Sequence, residues 1–416
     1  MKAMEKRRVV ITGMGAVTPL GHSVQESWEA AKAGKCGVGP ITLYDHSAQK
    51  VSLAAEVKDF DPTEKLDKKE VRRMDRFSQF ALYAAEEAMA DCGMDLEGMD
   101  TSRIGVCVSS GVGGMQTFQN SCEVGESRGF DKVSPFFIPM IIANLAAGRI
   151  AIRFGLHGMC TCPVTACAGG SNAIGDAFHY IRDGYADAMV TGGAEATITS
   201  LAIGGFTSMS ALTTASDPKR ASIPFDKERS GFVMGEGAGI LVLEELEHAK
   251  ARGAKIYGEI VGYGTNCDAH HITAPDPTGT WPAACIQQAL SDAGIAPEQV
   301  DYVNAHGTST PLNDSGETAA IRKVFGEHAG KLMVSSTKSM TGHLLGASGA
   351  VEAMFSVMAL KDGFVPATIN YQVPDPACDL DIVPNQGRQA DIKCAISDSL
   401  GFGGHNACLV FQKWEG

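Results

Sequence analysis

The chain contains no low-complexity tract and no long Pro/Ser linker, so its parts are expected to pack directly on one another. No apolar run is long and clean enough to cross a bilayer. The greasiest region, 135–152, is interrupted by Pro139, Asn144 and Arg149 and reads as a buried helix, so no membrane insertion is expected. The basic start, Met1-Lys-Ala-Met-Glu-Lys-Arg-Arg8, leads into Val9-Val-Ile-Thr-Gly13, an apolar stretch too short and glycine-broken for a signal peptide. An excess of positive charge is also missing. Acidic residues outnumber basic ones by 48 to 35, for a net charge of −13, which argues against general nucleic-acid binding and allows only a local basic patch.

Nucleotide and metal signatures are absent as well. Gly13-Met-Gly15 follows a strand, but the third fingerprint glycine would fall at Thr18, so no nicotinamide cofactor is expected. Gly231-Phe-Val-Met-Gly-Glu-Gly-Ala-Gly239 lacks the Lys-Ser/Thr pair of a phosphate loop, and its glycines instead suit tight packing beneath a site. Cys160-Thr-Cys162 lacks the spacing and second ligand pair of structural zinc, and no metal is expected. The twelve cysteines are scattered through apolar runs such as Val106-Cys-Val108, as reduced thiols of a cytoplasmic protein would be.

What is present is a chain of 416 residues in which short apolar runs alternate with amphipathic segments. Strands are predicted at 9–13, 104–109, 188–192, 240–244, 257–263, 302–305, 395–397 and 408–412. Helices are predicted at 77–91, 141–154, 170–182, 282–293, 318–325 and 349–360. Such alternation implies an α/β protein. An internal echo links Thr165-Ala-Cys-Ala-Gly-Gly-Ser-Asn-Ala with Leu345-Gly-Ala-Ser-Gly-Ala-Val-Glu-Ala, and each half opens on a strand followed by a Gly-rich turn, at 9–15 and 260–264. Duplication is therefore expected, with halves 1–255 and 256–416 meeting near the charged segment 244–255.

Cys167 lies in Val164-Thr-Ala-Cys-Ala-Gly-Gly-Ser-Asn-Ala-Ile-Gly-Asp-Ala-Phe178, read as a short strand bending into a small-residue helix. A thiol at a helix start feels the positive end of the macrodipole, which favours the thiolate. A buried structural thiol is the plain alternative. Two histidines in Gly/Thr/Ser-rich loops, Asn304-Ala-His306-Gly-Thr-Ser-Thr310 and Lys338-Ser-Met-Thr-Gly-His343, turn the reading toward acyl-transfer or carbon–carbon chemistry on a cysteine. His270-His271 reads as a surface loop. The bend Asp398-Ser-Leu-Gly-Phe-Gly-Gly-His-Asn406 offers backbone N–H groups as oxyanion donors. Lys69, Arg72, Arg73 and Arg76 fall at helical spacings and would form one basic face.

Together these motifs resemble the β-ketoacyl-acyl-carrier-protein synthases, most of all the type II elongation synthases. The resemblance runs nearly end to end, through Val9 to Pro19, Ser134-Pro-Phe-Phe137, Thr165-Ala-Cys167, Pro224-Phe-Asp-Lys-Glu-Arg229, the two histidine loops and Gly401-Phe-Gly-Gly404. It implies a thiolase-like fold of two similar halves in five alternating αβαβα layers, a homodimer, and no cofactor. It also implies decarboxylative Claisen condensation of malonyl-acyl-carrier-protein with an acyl chain held on Cys167. By matching position, His306 and His343 would assist decarboxylation and stabilise the enolate, and Lys338 would support them with Glu352 behind it. The amides of Cys167 and Phe402 would form the oxyanion hole. Substrate would touch Val112, Thr308, Thr310, Gly401 and Gly403, with Val112 standing where relatives usually carry isoleucine in the acyl pocket. The acyl carrier protein would dock on Lys69, Arg72 and Arg73.

Three other readings compete. A thiolase would carry a second cysteine in the final Gly-rich loop, and none lies between Asp398 and Asn406. A chain-length factor would lack the nucleophile. A polyketide ketosynthase shares the same triad and stays open.

Overall fold

In the computed structural model, residues 6–416 are described, and the first five residues of the basic N-terminal stretch lie outside them. The chain builds one strand pattern twice. In the first half, β1 (Val9–Val17), β2 (Ile104–Ser109), β3 (Cys160–Thr161), β4 (Ala188–Glu195) and β5 (Gly237–Glu245) lie in the order β1-β5-β4-β2-β3. In the second, β6 (Gly258–Cys267), β7 (Tyr302–Asn304), β8 (Met333–Ser335), β9 (Cys394–Gly401) and β10 (His405–Lys413) lie in the order β6-β10-β9-β7-β8. Each half thus sets its first strand beside its fifth, then fourth, second and third. The strand senses repeat too: in each half the first two pairings are antiparallel and the last two parallel. The halves join where β1 meets β6, through Val9–Ile260, Val10–Glu259 and Ile11–Gly258.

Four helices complete the layers. α1 (Arg76–Cys92) covers the outer face of the first half, and α3 (Thr280–Ala293) covers that of the second. Between the halves lie α2 (Gly169–Arg182) and α4 (Ser348–Asp362), which pack on each other and on strands of both. The result is the five-layer αβαβα arrangement of a thiolase-like fold. Every residue of α4 from Ser348 to Leu360 is buried, as a helix without an aqueous face requires.

The glycines expected to turn the chain at 9–15 and 260–264 lie inside strands instead. β1 continues to Val17 and β6 to Cys267. A Cβ on Gly15 would stand 1.9 Å from the Ala84 carbonyl oxygen of α1, and one on Gly264 would stand 2.2 Å from that of Cys285 in α3. The same device brings each outer helix into backbone contact with the first strand of its half.

Other expectations change as well. The helix predicted at 141–154 is broken, with Phe137–Ile141 and Leu145–Phe154 on either side of an extended Ile142. The 135–152 region is not wholly buried, because Ile138, Ile142 and Ile152 face outward, the last 75% exposed. No strand runs into Cys167: β3 ends at Thr161 and Val164 lies on an exposed loop. The charged segment 244–255 is the end of β5 followed by a short helix, Leu246–Ala251. Helices at Val24–Lys32, Met115–Arg128 and Ser200–Ser208 were not predicted, and Met115–Arg128 buries only Gly125, too little for a readable apolar stripe. The helix–strand contact has a direct test. Gly15→Val is expected to cost about 3 kcal/mol or more through overpacking against Ala84, read as a lowered denaturant midpoint. An unchanged midpoint would contradict the close approach.

Candidate active site

Cys167 sits in a one-turn 3₁₀ segment, Ala166–Ala168, immediately before α2. Ala166 holds φ of +49°, a left-handed conformation that strains a residue bearing a Cβ. Leu345, at the matching place before α4, holds +47°, so the internal echo is a repeated strained turn. Two contacts hold the turn at Cys167. Thr165 Oγ1 donates to Asn172 Oδ1 at 2.6 Å, and Asn172 Nδ2 donates to Tyr263 Oη of β6 at 2.6 Å, tying the turn to the other half. Gly401, at the end of β9, lies so close that a Cβ there would meet Thr165 O at 2.8 Å and Cys167 N at 3.2 Å.

A cavity of about 360 Å³ opens above this turn, lined among others by Cys167, His306, His343, Thr308, Thr310 and Phe402. The two imidazoles meet edge to face with ring centroids 5.3 Å apart. Phe232 packs on His343 at 5.1 Å, and Phe206 links Phe232 to Phe402 at 5.6 and 6.2 Å. His343 is braced by the glycine-rich segment predicted to lie beneath a site: its N–H donates to Val233 O, and Gly235 N–H donates to its carbonyl, both at 2.8 Å.

The hydrogen bonds define the histidine tautomers. Ser348 Oγ accepts from Leu344 N–H at 2.8 Å, which leaves its own proton one acceptor within reach, His343 Nδ1 at 2.8 Å. Lys338 Nζ lies 3.3 Å from His306 Nδ1, and an ammonium can only donate. Burial and the charge of Lys338 hold both imidazoles neutral, well below the ordinary histidine range. A neutral ring that accepts at Nδ1 carries its proton on Nε2, so both rings offer an N–H donor.

Lys338 also pairs with buried Glu352. Beneath His306 lies an acidic pair, Glu317 and Asp398. The His306 amide donates to Glu317 Oε1 at 2.6 Å and Asp398 Oδ1 at 3.2 Å. Burial raises both carboxyls above their usual range; the charge of Asp398 adds to the rise at Glu317, whereas a hydrogen bond from Glu317 and the charge of Lys338 oppose the rise at Asp398.

The expectation of a thiolate at Cys167 is overturned. The side chain is 7% exposed, and burial pushes the thiol up to about 12, against the opposing pull of Lys338 and the Phe402 and Cys167 amides. Helix-end dipoles are worth about 0.3–1 kcal/mol at the surface, less than the cost of desolvating a thiolate.

Other predicted residues lie apart. Val112 is 38% exposed on a loop outside the cavity lining, and Gly403 is a turn residue with φ of +87° whose N–H donates to Ile272 O. The single basic face is corrected. The helix Lys68–Val71 ends at Arg72, leaving Lys69, Arg72 and Arg73 exposed, while Arg76 turns inward onto Glu236 at 2.8 Å. His270 and His271 lie on an exposed loop, as expected. Ser348, Glu317 and Phe206 escaped sequence reasoning. Glu317 follows His306 by eleven residues on the helix Pro311–Phe325, a spacing that becomes a contact only when that helix folds back.

Comparison with known proteins identifies the lineage. Residues 6–249 match the model for the β-ketoacyl synthase N-terminal domain and residues 257–372 that for its C-terminal domain. The chain belongs to the β-ketoacyl synthase family. It is 53% identical over 416 residues to 3-oxoacyl-[acyl-carrier-protein] synthase 2 of Synechocystis sp., with all of both chains covered. It is 54% identical over 411 residues to the protein of that name from Staphylococcus aureus, covering 99% of each. Among solved structures, a β-ketoacyl synthase from Burkholderia phymatum superposes with a TM-score of 0.92 at 38% identity, covering 98% of this chain and 100% of that one. A type II PKS acyl-carrier protein in complex with its ketosynthase, bound to the hexaketide, gives 0.90 at 37%, covering 99% and 100%. Family membership and the fold agree with the sequence reading.

The histidine protonation state is directly measurable. In labelled protein the His306 and His343 ring signals are expected not to titrate at 6.5, the ordinary histidine value, and to stay neutral well below it. Their pKa values are lowered on folding, so the unfolded chain takes up protons first as pH falls. Stability should therefore decline below about pH 6.5 from these two groups. Titration of either ring at its ordinary value would refute the assignment.

Proposed function

We propose that this β-ketoacyl synthase elongates fatty acyl chains by decarboxylative Claisen condensation on acyl carrier protein. The observation that carries the reading is one cavity in which a buried thiol, two neutral imidazoles with Nε2 donors and the amides of Cys167 and Phe402 converge. Curated relatives bearing the name 3-oxoacyl-[acyl-carrier-protein] synthase 2 over the full length support it. At 37% identity, the type II PKS ketosynthase is more distant than those relatives, which favours the fatty-acid reading.

In the first step Cys167 sulfur attacks the acyl thioester carbonyl. The new C–S bond forms as the carrier's C–S bond breaks, and the thiol proton leaves with the carrier sulfur. Exchange of one thioester for another needs little net energy, and covalent capture divides the condensation into manageable steps. In the second step malonyl thioester loses carbon dioxide, and its electron pair becomes an enolate whose oxygen accepts from the Nε2 donors of His306 and His343. Donors of this kind are each worth about two to three decades in rate. The enolate carbon then attacks the Cys167 thioester, the Cys167 and Phe402 amides hold the tetrahedral oxyanion, and collapse returns the sulfur to the enzyme. Neutral rings suit this role, because an imidazolium would attract the malonyl carboxylate whose departure drives the step. Lys338 fixes the His306 ring, Glu352 neutralises Lys338, and Thr308, Thr310 and Gly401 border the path of the incoming arm. Val112, in the family's acyl-pocket position, is assigned to the loop that bounds the chain, and Gly403 to the mobility of the bend beside Phe402.

Exposed Lys69, Arg72 and Arg73 suit an acidic carrier protein on an otherwise acidic chain. A homodimer is supported by the outward-facing Phe118, Phe136, Ile138, Ile142 and Ile152 near the open edge strand β3. The halves 1–255 and 256–416 are the duplicated units, supported by the repeated strand order. A cytoplasmic location is supported by free cysteines throughout the described residues.

Intact-mass analysis after incubation with acyl carrier protein is expected to show one acyl adduct, mapped to Cys167. No adduct would end the enzymatic reading. Cys167→Ala should abolish condensation, and His306→Ala should lower malonyl decarboxylation by about a hundredfold or more. Unchanged decarboxylation would remove His306 from its role. Sedimentation should find a species near twice 43.7 kDa.

A further inference from the structure

The mechanism above makes no use of Glu195, a fully buried carboxylate at the end of β4. Four donors converge on it from two segments. Ser110 Oγ and Val112 N–H donate to Oε1 at 2.9 and 3.3 Å, and Gly111 N–H and Gly346 N–H donate to Oε2 at 2.8 and 3.0 Å. Gly111 and Gly346 belong to different halves, and both need glycine for this approach. A Cβ on Gly346 would lie 2.4 Å from Gly111 N and 2.9 Å from Glu195 Oε2. The loop 110–114 in turn touches the outward-facing segment, where Gly114 N–H donates to Ile141 O at 3.0 Å. On the other side, Gly346 follows His343 by three residues in the strained turn that opens α4. Burial raises this carboxyl above its ordinary range, and the four donors, with no acceptor among them, oppose that rise by favouring the ionised form.

We infer that Glu195 is a specificity-determining positioning residue, a clamp that locks the loop carrying Val112 onto the turn behind His343. The inference rests on the proposed function for its substrate readout only. The clamp also carries a charge into the site. Of the charged groups acting on Cys167, Lys338 favours the thiolate and Glu195 disfavours it, while the two imidazoles and Asp268 line the cavity with it. Glu195 itself faces Cys162 and Cys167, whose thiols it raises.

Glu195→Gln tests the clamp at constant shape. Its NH₂ group cannot accept. Turned toward Gly111 and Gly346 it would oppose two N–H donors, so it should turn toward Ser110, whose hydroxyl can accept, and Val112, whose N–H loses its partner. The Gly346 tie survives and the Val112 side loosens. Iodoacetamide labelling of the full-length protein across pH, read on the Cys167 peptide by mass spectrometry, should show the midpoint falling, as removal of a negative charge that raises this thiol requires. Selectivity between short and long saturated acyl-carrier-protein primers, as kcat/KM ratios, should change about fivefold or more. Malonyl decarboxylation should stay within about threefold. A midpoint that does not move, or unaltered selectivity, overturns the inference.

Ser110→Ala removes one donor and no charge. It should alter selectivity without moving the midpoint, and it keeps the test alive if Glu195→Gln does not fold. A shifted midpoint in Ser110→Ala overturns the separation of clamp from charge. Labelling needs no acyl chemistry, so wild-type protein that takes no acyl chain would sink the condensing reading while the midpoint still tests Glu195.

Discussion

Lys338 is 1% exposed at the centre of the molecule, and burying an ammonium costs several kcal/mol unless it is paired. Glu352 supplies the pairing from α4, so the cation belongs to the core as much as to the site. From there it acts in three directions. It donates toward His306 Nδ1 and so sets that ring's tautomer, it helps hold both imidazoles neutral, and it partly offsets the desolvation of Cys167. Removing either member of the pair would strand a buried charge, and the site and the central helix layer would suffer together.

The architecture makes such a site possible because it buries α4 from Ser348 to Leu360 and the first two turns of α2, Gly169 to Gly175. α2 and α4 enter the middle layer from opposite halves, each through a turn with one left-handed non-glycine residue, Ala166 or Leu345. Their starts lie near each other, so Cys167 just before one and His343 just before the other share a cavity. Small residues permit the approach: a Cβ on Gly170 would lie 2.8 Å from Ala350 N, and one on Gly193 would lie 2.3 Å from Gly346 O. The same dense packing excludes water, which strengthens every N–H donor directed into the cavity. It also keeps the Cys167 thiol protonated.

The long periodic elements were legible because their burial pattern has a period. α1 and α3 have one face on a sheet and one toward solvent, and their predicted limits differ from the observed ones by one or two residues. The segment at 141–154 misled because the extended Ile142 interrupts the backbone without interrupting the apolar pattern. The glycines at 13, 15, 262 and 264 were read as turns, whereas they serve strands lying under helix backbones. Local rules treat glycine as punctuation, and only the neighbouring helix reveals the absent Cβ as a contact. In the same way Arg76 shared a helical spacing with Arg72 and Arg73 but belongs to a different helix and a buried ion pair.

By itself the sequence determined the family, the α/β alternation, the internal duplication and the identity of the cysteine, histidine, lysine and glutamate side chains, because these follow from residue type and local spacing. The tertiary structure decided what those side chains are. It made Cys167 a protonated thiol and His306 and His343 neutral Nε2 donors, and it gave Glu195 and Ser348 their partners. Charge state and tautomer depend on desolvation and on hydrogen bonds between segments about 150 residues apart, such as Glu195 and Gly346, and no local pattern encodes those distances.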